Sequence, residues 1–249
     1  MRIAVLADIH GNVLALEAVL ADLEQRRAVD LIVNLGDCVS GPLWPAETCA
    51  LLMERNWPTV RGNHDRAVAF DDPASMWSSD AFAHGKLSAA QRAWLGALPC
   101  RSEFANGVTA FHGRPDNDNR YTLDDIADGR LVAASPAKIA QRLRDMATGS
   151  GLVLCGHSHQ PRMVQLDGGP LVLNPGSVGC PAYDDPVGLA HVSEVGTPHA
   201  RYAIATIGVN GVLAVDFLAV PYDHKAAAAR ALSNGRPEWA HALATGFHT

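Results

Sequence analysis

Nothing in this chain is apolar for long enough to cross a membrane, since every hydrophobic run is broken well short of the roughly 20 residues that a spanning helix needs. Asp8 and His10 interrupt the first run before a signal-peptide core or cleavage site forms, so it reads as a first strand rather than an address. Cysteine is scarce and unpatterned. The five thiols, Cys38, Cys49, Cys100, Cys155 and Cys180, are odd in number, widely spaced and without a CxxC pair. That argues against a disulfide framework or a zinc ribbon and fits the reduced thiols of a cytoplasmic protein. A basic field is missing too: a formal net charge of -6 gives no hold on a long nucleic acid, although a small anion held through metal is compatible with it. There is no internal repeat, charge block or low-complexity linker, so residues 1–249 are expected to form one domain with a sizeable core.

What the chain does have is a recurring unit in which an apolar strand ends in polar, turn-forming residues. Ile3 to Ala7 runs into Asp8-Ile9-His10-Gly11-Asn12, and Asn12 suits the N-cap of a helix with a broad apolar face. Leu31 to Leu35 ends in Gly36-Asp37, Pro45 opens a second helix, and Trp57 to Arg61 is read as a third strand before Gly62-Asn63-His64-Asp65. Strand, loop and helix in repetition predict a sheet that begins parallel. Ser88 with Gln91 forms a capping-box pattern ahead of a helix over 89–98, and Asn106-Gly107 marks a tight hairpin that turns the second half toward antiparallel pairing. Residues 114–134 are polar and acidic and read as a loop or lid, and Ser135-Pro136 starts a helix. Leu152 to Cys155 leads into Gly156-His157-Ser158-His159. A hairpin around 167–169 follows, then strands over 187–195, 201–207 and 212–220, and two closing helices, the second beginning near Pro237.

Collected at the strand ends are Asp8, His10, Asp37, Asn63, His112, His157 and His159. Carboxylate, amide oxygen and imidazole together make a mixed O/N donor set, suited to two ions of Mn, Fe or Zn rather than to an all-oxygen Ca or Mg cage. Asp37 is the natural bridge, and two ions about 3.5 to 4 Å apart would supply a nucleophile and draw charge from a phosphoryl group. His64 has the right type to protonate or stabilise the leaving oxygen without binding metal, and Asp65 is expected to orient it from its other ring nitrogen. Arg114 could meet a substrate phosphate with its planar fork.

These five ordered motifs, spread over residues 1 to about 180, resemble the calcineurin-like metallophosphoesterases. The resemblance implies a four-layer α/β/β/α sandwich of two mixed β-sheets flanked by helices. It also implies that Asp8, His10, Asp37 and His159 hold one metal, that Asp37, Asn63, His112 and His157 hold the other, and that His64 is the catalytic histidine. The Asp8-Ile9-His10-Gly11-Asn12 opening, Asn174-Pro175-Gly176-Ser177 and Val220-Pro221-Tyr222-Asp223 look like the small bacterial and archaeal phosphodiesterase branch, which includes diadenosine tetraphosphatase-like proteins. The expected activity is hydrolysis of a small, nucleotide-like phosphodiester or phosphomonoester, with 66–134 supplying substrate-facing insertions. Cys38-Val39-Ser40 stands where protein phosphatases carry a phosphate-clamping Asp-Arg-Gly, which turns the reading away from phosphoproteins. Cys180-Pro181-Ala182 stands where the small branch often has Gln-Pro-Arg.

The bland alternatives are specific. Asp8 and Asp37 taken singly would be helix caps, Ser177 a support for the double-histidine turn, and Trp77 and Trp94 core aromatics. His84, His191, His199, His224, His241 and His248 lie outside the motifs and are read as surface or packing residues. A non-catalytic scaffold of the same fold, as in the retromer subunit that resembles it, is the rival function, and His64 with the full ligand set weighs against it. A nuclease would want a basic groove that this chain lacks. Oligomeric state is left open.

Overall fold

The computed structural model describes residues 1–26, 29–104, 107–144 and 149–249. Its first sheet is built on β1 (Arg2–Leu6) and β2 (Leu31–Asn34), which pair in parallel with Ile3 opposite Leu31. On the other side of β1 lie β12 (Ala200–Gly208) and β13 (Gly211–Val220), both joined antiparallel, giving the order β13-β12-β1-β2. A second sheet runs β3 (Arg101–Phe104), β4 (Val108–Phe111), β7 (Leu152–Leu154), β9 (Leu171–Asn174) and β8 (Arg162–Gln165), with β4, β7 and β9 parallel. Parallel strands whose two faces are both covered require apolar side chains in succession, as Ile3 to Ala7 and Leu152 to Cys155 show.

Alternation along β1 separates the layers. Ile3, Val5 and Ala7 point to the second sheet, where Val108, Ala110, Leu152, Leu154 and Leu173 meet them. Ala4 and Leu6 point the other way, onto α1 (Val13–Arg26) and α2 (Pro45–Arg55). The far face of the second sheet, Phe111, Val153, Cys155 and Val172, is covered by Ile139 and Leu143 of α6 (Pro136–Leu143). This is the α/β/β/α sandwich, with helices α3 (Asn63–Phe70), α4 (Ser78–Lys86) and α5 (Ala89–Ala97) on the α1 side. Helices α7 (His224–Ser233) and α8 (Pro237–Thr245) close the chain. No helix among the described residues is long and apolar enough to cross a membrane.

Local signals act as expected at several ends. Asn12 Oδ1 accepts from Ala15 N at 3.2 Å and caps α1, Ser88 caps α5 through the reciprocal Gln91 box, and Ser135 caps α6. Asn106 of the expected Asn106-Gly107 turn lies outside the described residues; the flanking β3 and β4 pair antiparallel.

Three segments differ from the sequence reading. The span 57–61 makes only a single bridge, Asn34 with Thr59, because Pro58 has no N–H to extend a ladder. The span 114–134 is not all loop. It contains β5 (Asp124–Ala127) and β6 (Arg130–Ala133), which join β10 (Ala182–Asp185) and β11 (His191–Glu194) in a third sheet ordered β10-β11-β6-β5. Mostly solvated strands carry no apolar signature, so charge there concealed the hairpin. The strand expected over 187–195 accordingly shrinks to β11. Leu154 is fully buried between the sheets, and Leu154→Ala is expected to lower unfolding free energy by about 2–5 kcal/mol in urea denaturation.

Candidate metal centre

The C-terminal ends of β1 and β2 in one sheet and of β4 and β7 in the other open onto the same place. Asp8 N donates to Gly36 O at 3.0 Å and His10 N to Asp37 O at 2.9 Å, so the loops after β1 and β2 travel together. Gly156 N donates to His112 O at 2.7 Å, which joins the loops after β4 and β7. The sheets are then tied across the sandwich: His112 Nδ1 donates to Leu35 O at 2.7 Å, and His157 N lies 3.2 Å from Asp8 Oδ2. Asp8, His10, Asp37, His157 and His159 all have positive φ, between 52° and 69°. A non-glycine residue in that left-handed region costs about 1–2 kcal/mol, and such strain concentrates where a side chain must be aimed rather than merely packed.

Two donor groups result, Asp8-His10-His159 and Asp37-His112-His157, each with its ligand atoms within 4.8 Å of one another. The first has a feature that hydrogen bonding alone does not resolve. His10 Nδ1 donates to Ser40 O at 2.6 Å and His159 Nδ1 to Cys180 O at 2.7 Å, yet their Nε2 atoms face each other at 3.1 Å. With both Nδ1 positions committed to carbonyls, the two Nε2 atoms need something shared between them, either a proton on His159 or a cation that both lone pairs face. In the second group His112 Nε2 and Asn63 Oδ1 are buried without a hydrogen-bond partner, although Asp37 Oδ2 lies 3.1 Å from that nitrogen. The orphaned Asn63 Oδ1 and the carbonyl-anchored rings fit metal ions better than they fit a self-contained polar core.

Electrostatics agree. Burial, then the neighbouring His159, pushes His10 down to about 4, and burial with His112 pushes His157 down to about 3, so both rings are in the neutral form that ligates. Burial also opposes the charged form of His112, but Asp37 and Asp8 outweigh it and lift that ring to about 9. His159 is raised too, against burial, by Asp8. A divalent cation would take over the role of these protons toward the carboxylates.

His64 lies beside the groups, its ring centroid 5.6 Å from that of His10. Its orienting partner is not Asp65. Burial disfavours the His64 imidazolium, but the carboxylates of Asp37 and Asp80 outweigh it and raise the ring to about 9. Asp80 Oδ1, on α4, accepts from His64 Nδ1 at 2.8 Å. Asp65 is turned away and accepts backbone N–H groups of Asp37, Cys38 and Gly62 at 2.8 to 3.0 Å, so it locks the Asp37 turn to the start of α3. The backbone pulls harder because three donors converge there, while an adjacent side chain on the same helix turn cannot reach round to its neighbour. Gly62 completes this packing, since a Cβ there would collide with Asp37 Oδ1.

Ser177 supports the Asp8 loop rather than the double-histidine turn: its Oγ donates to Asp8 O at 2.7 Å and accepts from Cys180 N. Asn174 Nδ2 serves the histidine turn, donating to Gly156 O at 2.8 Å and Ser158 Oγ at 3.0 Å.

Both groups face a cavity of about 480 Å³, within the size range of small-molecule sites. Its outer wall comes from Trp77, Ser78, Ser79, Asn119 and Tyr121 and from the C-terminal residues Arg236, Glu238, Trp239 and His248. Tyr121 lies 4.8 Å from the His157 ring, Tyr183 4.6 Å from that of His159, and Trp239 5.9 Å from that of His10. Trp77 is therefore a wall residue, half exposed, while Trp94 packs on the helical core. Arg114 does not line this cavity; its Nε donates to Tyr121 O at 2.8 Å, which turns the guanidinium away. Asp80, Tyr183, Trp239 and His248 were missed because none sits in a strand-end motif. Only the pattern Ser78-Ser79-Asp80 at a helix start could have drawn attention to Asp80.

A family model described as the calcineurin-like phosphoesterase superfamily domain matches residues 1–195. The chain belongs to that superfamily. A metallophosphoesterase from Sphaerobacter thermophilus is similar to this phosphoesterase with a TM-score of 0.72 at 26% identity, covering 99% of this chain and 100% of that one. A hypothetical protein from Pyrococcus horikoshii OT3 shares the fold, with a TM-score of 0.75 at 21% identity and coverage of 100% and 99%. An uncharacterised protein of Methanocaldococcus jannaschii is 28% identical, over 95% of this chain and 94% of its own length. Membership brings metal-dependent hydrolysis of phosphoric esters as the general chemistry of this phosphoesterase, and its two possible metal-ligand groups agree with a dinuclear centre. In the metal-free protein, NMR titration of His64 is expected to give a pKa about 9, and Asp80→Asn to lower it, since the imidazolium loses a facing carboxylate.

Proposed function

We propose that this chain, acting as one domain, hydrolyses a small nucleotide-like phosphoester, with phosphodiesters favoured, using two divalent ions of Mn, Fe or Zn. The observation that carries the reading is the pairing of Asp8-His10-His159 and Asp37-His112-His157 at one cavity beside His64, whose Nδ1 is held by Asp80. Asp8, His10, Asp37 and His159 would hold one ion, and Asp37, Asn63, His112 and His157 the other. When bound, the ions supply a water-derived nucleophile and stabilise the charge that develops on the phosphoryl oxygens. His64, held by Asp80, gives a proton to the departing oxygen from Nε2. Asp65 fixes the Asp37 backbone by accepting its N–H. Trp77, Tyr121, Tyr183 and Trp239 offer aromatic surface to a planar leaving group such as a nucleobase. The free cysteines, four of them buried, support a reducing, cytoplasmic setting.

The test compares metal-stripped protein with protein reconstituted in Mn, against bis-para-nitrophenyl phosphate and para-nitrophenyl phosphate. His64→Ala is expected to lower kcat by about 10²–10⁴ with metal content unchanged. Asp37→Asn is expected to lower both turnover and bound metal, because it removes the donor shared by both sites. Faster cleavage of the diester would support the phosphodiesterase preference. Full metal occupancy without turnover of either ester would instead favour the scaffold reading.

A further inference from the structure

Arg114 belongs to a second cavity, of about 290 Å³, lined by Arg114, Asp116, Lys138, Gln141, Arg142 and Arg144. It shares no residue with the cavity at the candidate metal centre. Four of its six lining residues are cations, in a chain whose formal net charge is -6, so positive charge is concentrated here against the overall balance. Two carboxylates neutralise part of it: Asp116, which lines the cavity itself, and Asp125, which accepts from Lys138 Nζ at 2.8 Å and from Arg142. Arg142 also donates to Thr122 O at 2.9 Å and Asp124 O at 3.0 Å, which fixes its guanidinium in the floor. Arg114 is held only at Nε, by Tyr121 O, and its two terminal nitrogens have no partner among the described residues.

We propose that this cavity is a second anion-binding site that takes a small phosphate-bearing anion. Arg114 presents a free fork to the phosphate oxygens, Lys138 and Arg144 close over it from α6 and its C-terminal end, and the fixed Arg142 supplies charge from below. The site is wired to the metal centre through its floor. Arg114 holds Tyr121, whose ring packs on His157, and Arg142 holds the Asp124 backbone, whose carboxylate accepts from Ser158 Oγ at 2.7 Å between the two histidines. An anion that draws in Arg114 therefore pulls on the residues that seat His157.

The site is tested on Zn-loaded protein by titrating inorganic phosphate at 150 mM KCl and following the Arg114 Nε–H signal by NMR, assigned through Arg114→Lys. The expected result is a saturable shift that persists in Asp37→Asn and whose midpoint rises at least fivefold in Lys138→Gln/Arg144→Gln. Both of those positions are solvent-facing, and unchanged melting of the double variant excludes misfolding as the cause. Persistence in Asp37→Asn separates this site from phosphate held at the metals, so it stands or falls independently of the proposed catalytic reading. An absent or non-saturating shift, or a midpoint unchanged in the double variant, would overturn it.

Discussion

Asp8 and Asp37 are buried with four imidazoles around them, and most of the surrounding architecture follows from what that arrangement demands. Charged carboxylates removed from water need compensation, and the imidazoles supply it only partly, because His10 and His157 are driven toward neutrality by the same burial. A cluster of this kind is stable when cations complete it. The left-handed backbone at Asp8, His10, Asp37, His157 and His159 points the same way. Such conformations persist only where surrounding hydrogen bonds over-determine them. Here the loops are bonded to each other, to Ser177 and Asn174, and to Asp65.

The sandwich makes that convergence possible because the ligands come from two sheets rather than one. Parallel strands β1 and β2 deliver Asp8, His10 and Asp37 from one layer, and parallel β4 and β7 deliver His112, His157 and His159 from the other. The apolar contact between the layers, Val5 and Ala7 against Ala110 and Leu154, sets the separation that brings the groups within reach. A shift of one layer past the other would separate Asp37 Oδ2 from His112 Nε2, now 3.1 Å apart. Packing in the core is therefore also positioning in the site.

How much of this was readable in the sequence depends on the kind of signal each part carries. The inner donors announce themselves because each follows a run such as Ile3 to Ala7 and ends a strand, and strand ends at one sheet edge are a strong geometric constraint. The partner of His64 did not, because Asp80 lies sixteen positions on in a helix whose approach is set by tertiary packing. Asp65 misled for a related reason: adjacency in sequence suggested contact, while helix geometry sent its carboxylate to the Asp37 backbone. Hairpin β5-β6 was invisible because its strands face solvent and lack alternation. Arg114 shows the limit most clearly. Two residues after His112 it is close in sequence, but the bond to Tyr121 O turns it into a different cavity.

The inner and outer parts of the site also obey different constraints. Most of the candidate donors sit on left-handed backbone that few residues tolerate and in a buried cluster of carboxylates and imidazoles, so substitutions there meet both steric and electrostatic resistance. The outer wall has no such restriction. Trp77 and Ser79 come from the start of α4, while Arg236, Trp239 and His248 come from the C-terminal region beyond the span matched by the family model. Arg236 is the sole arginine or lysine lining that cavity among the described residues, and it joins the two sources, donating to Ser79 Oγ at 3.2 Å and to Glu238 at 2.5 Å. These segments lie outside the strand-end framework, yet they touch it, Trp239 packing on the His10 ring and Asp80 of α4 holding His64. The candidate donors are thus placed by the sandwich, and the surface facing them by what is folded over its edge.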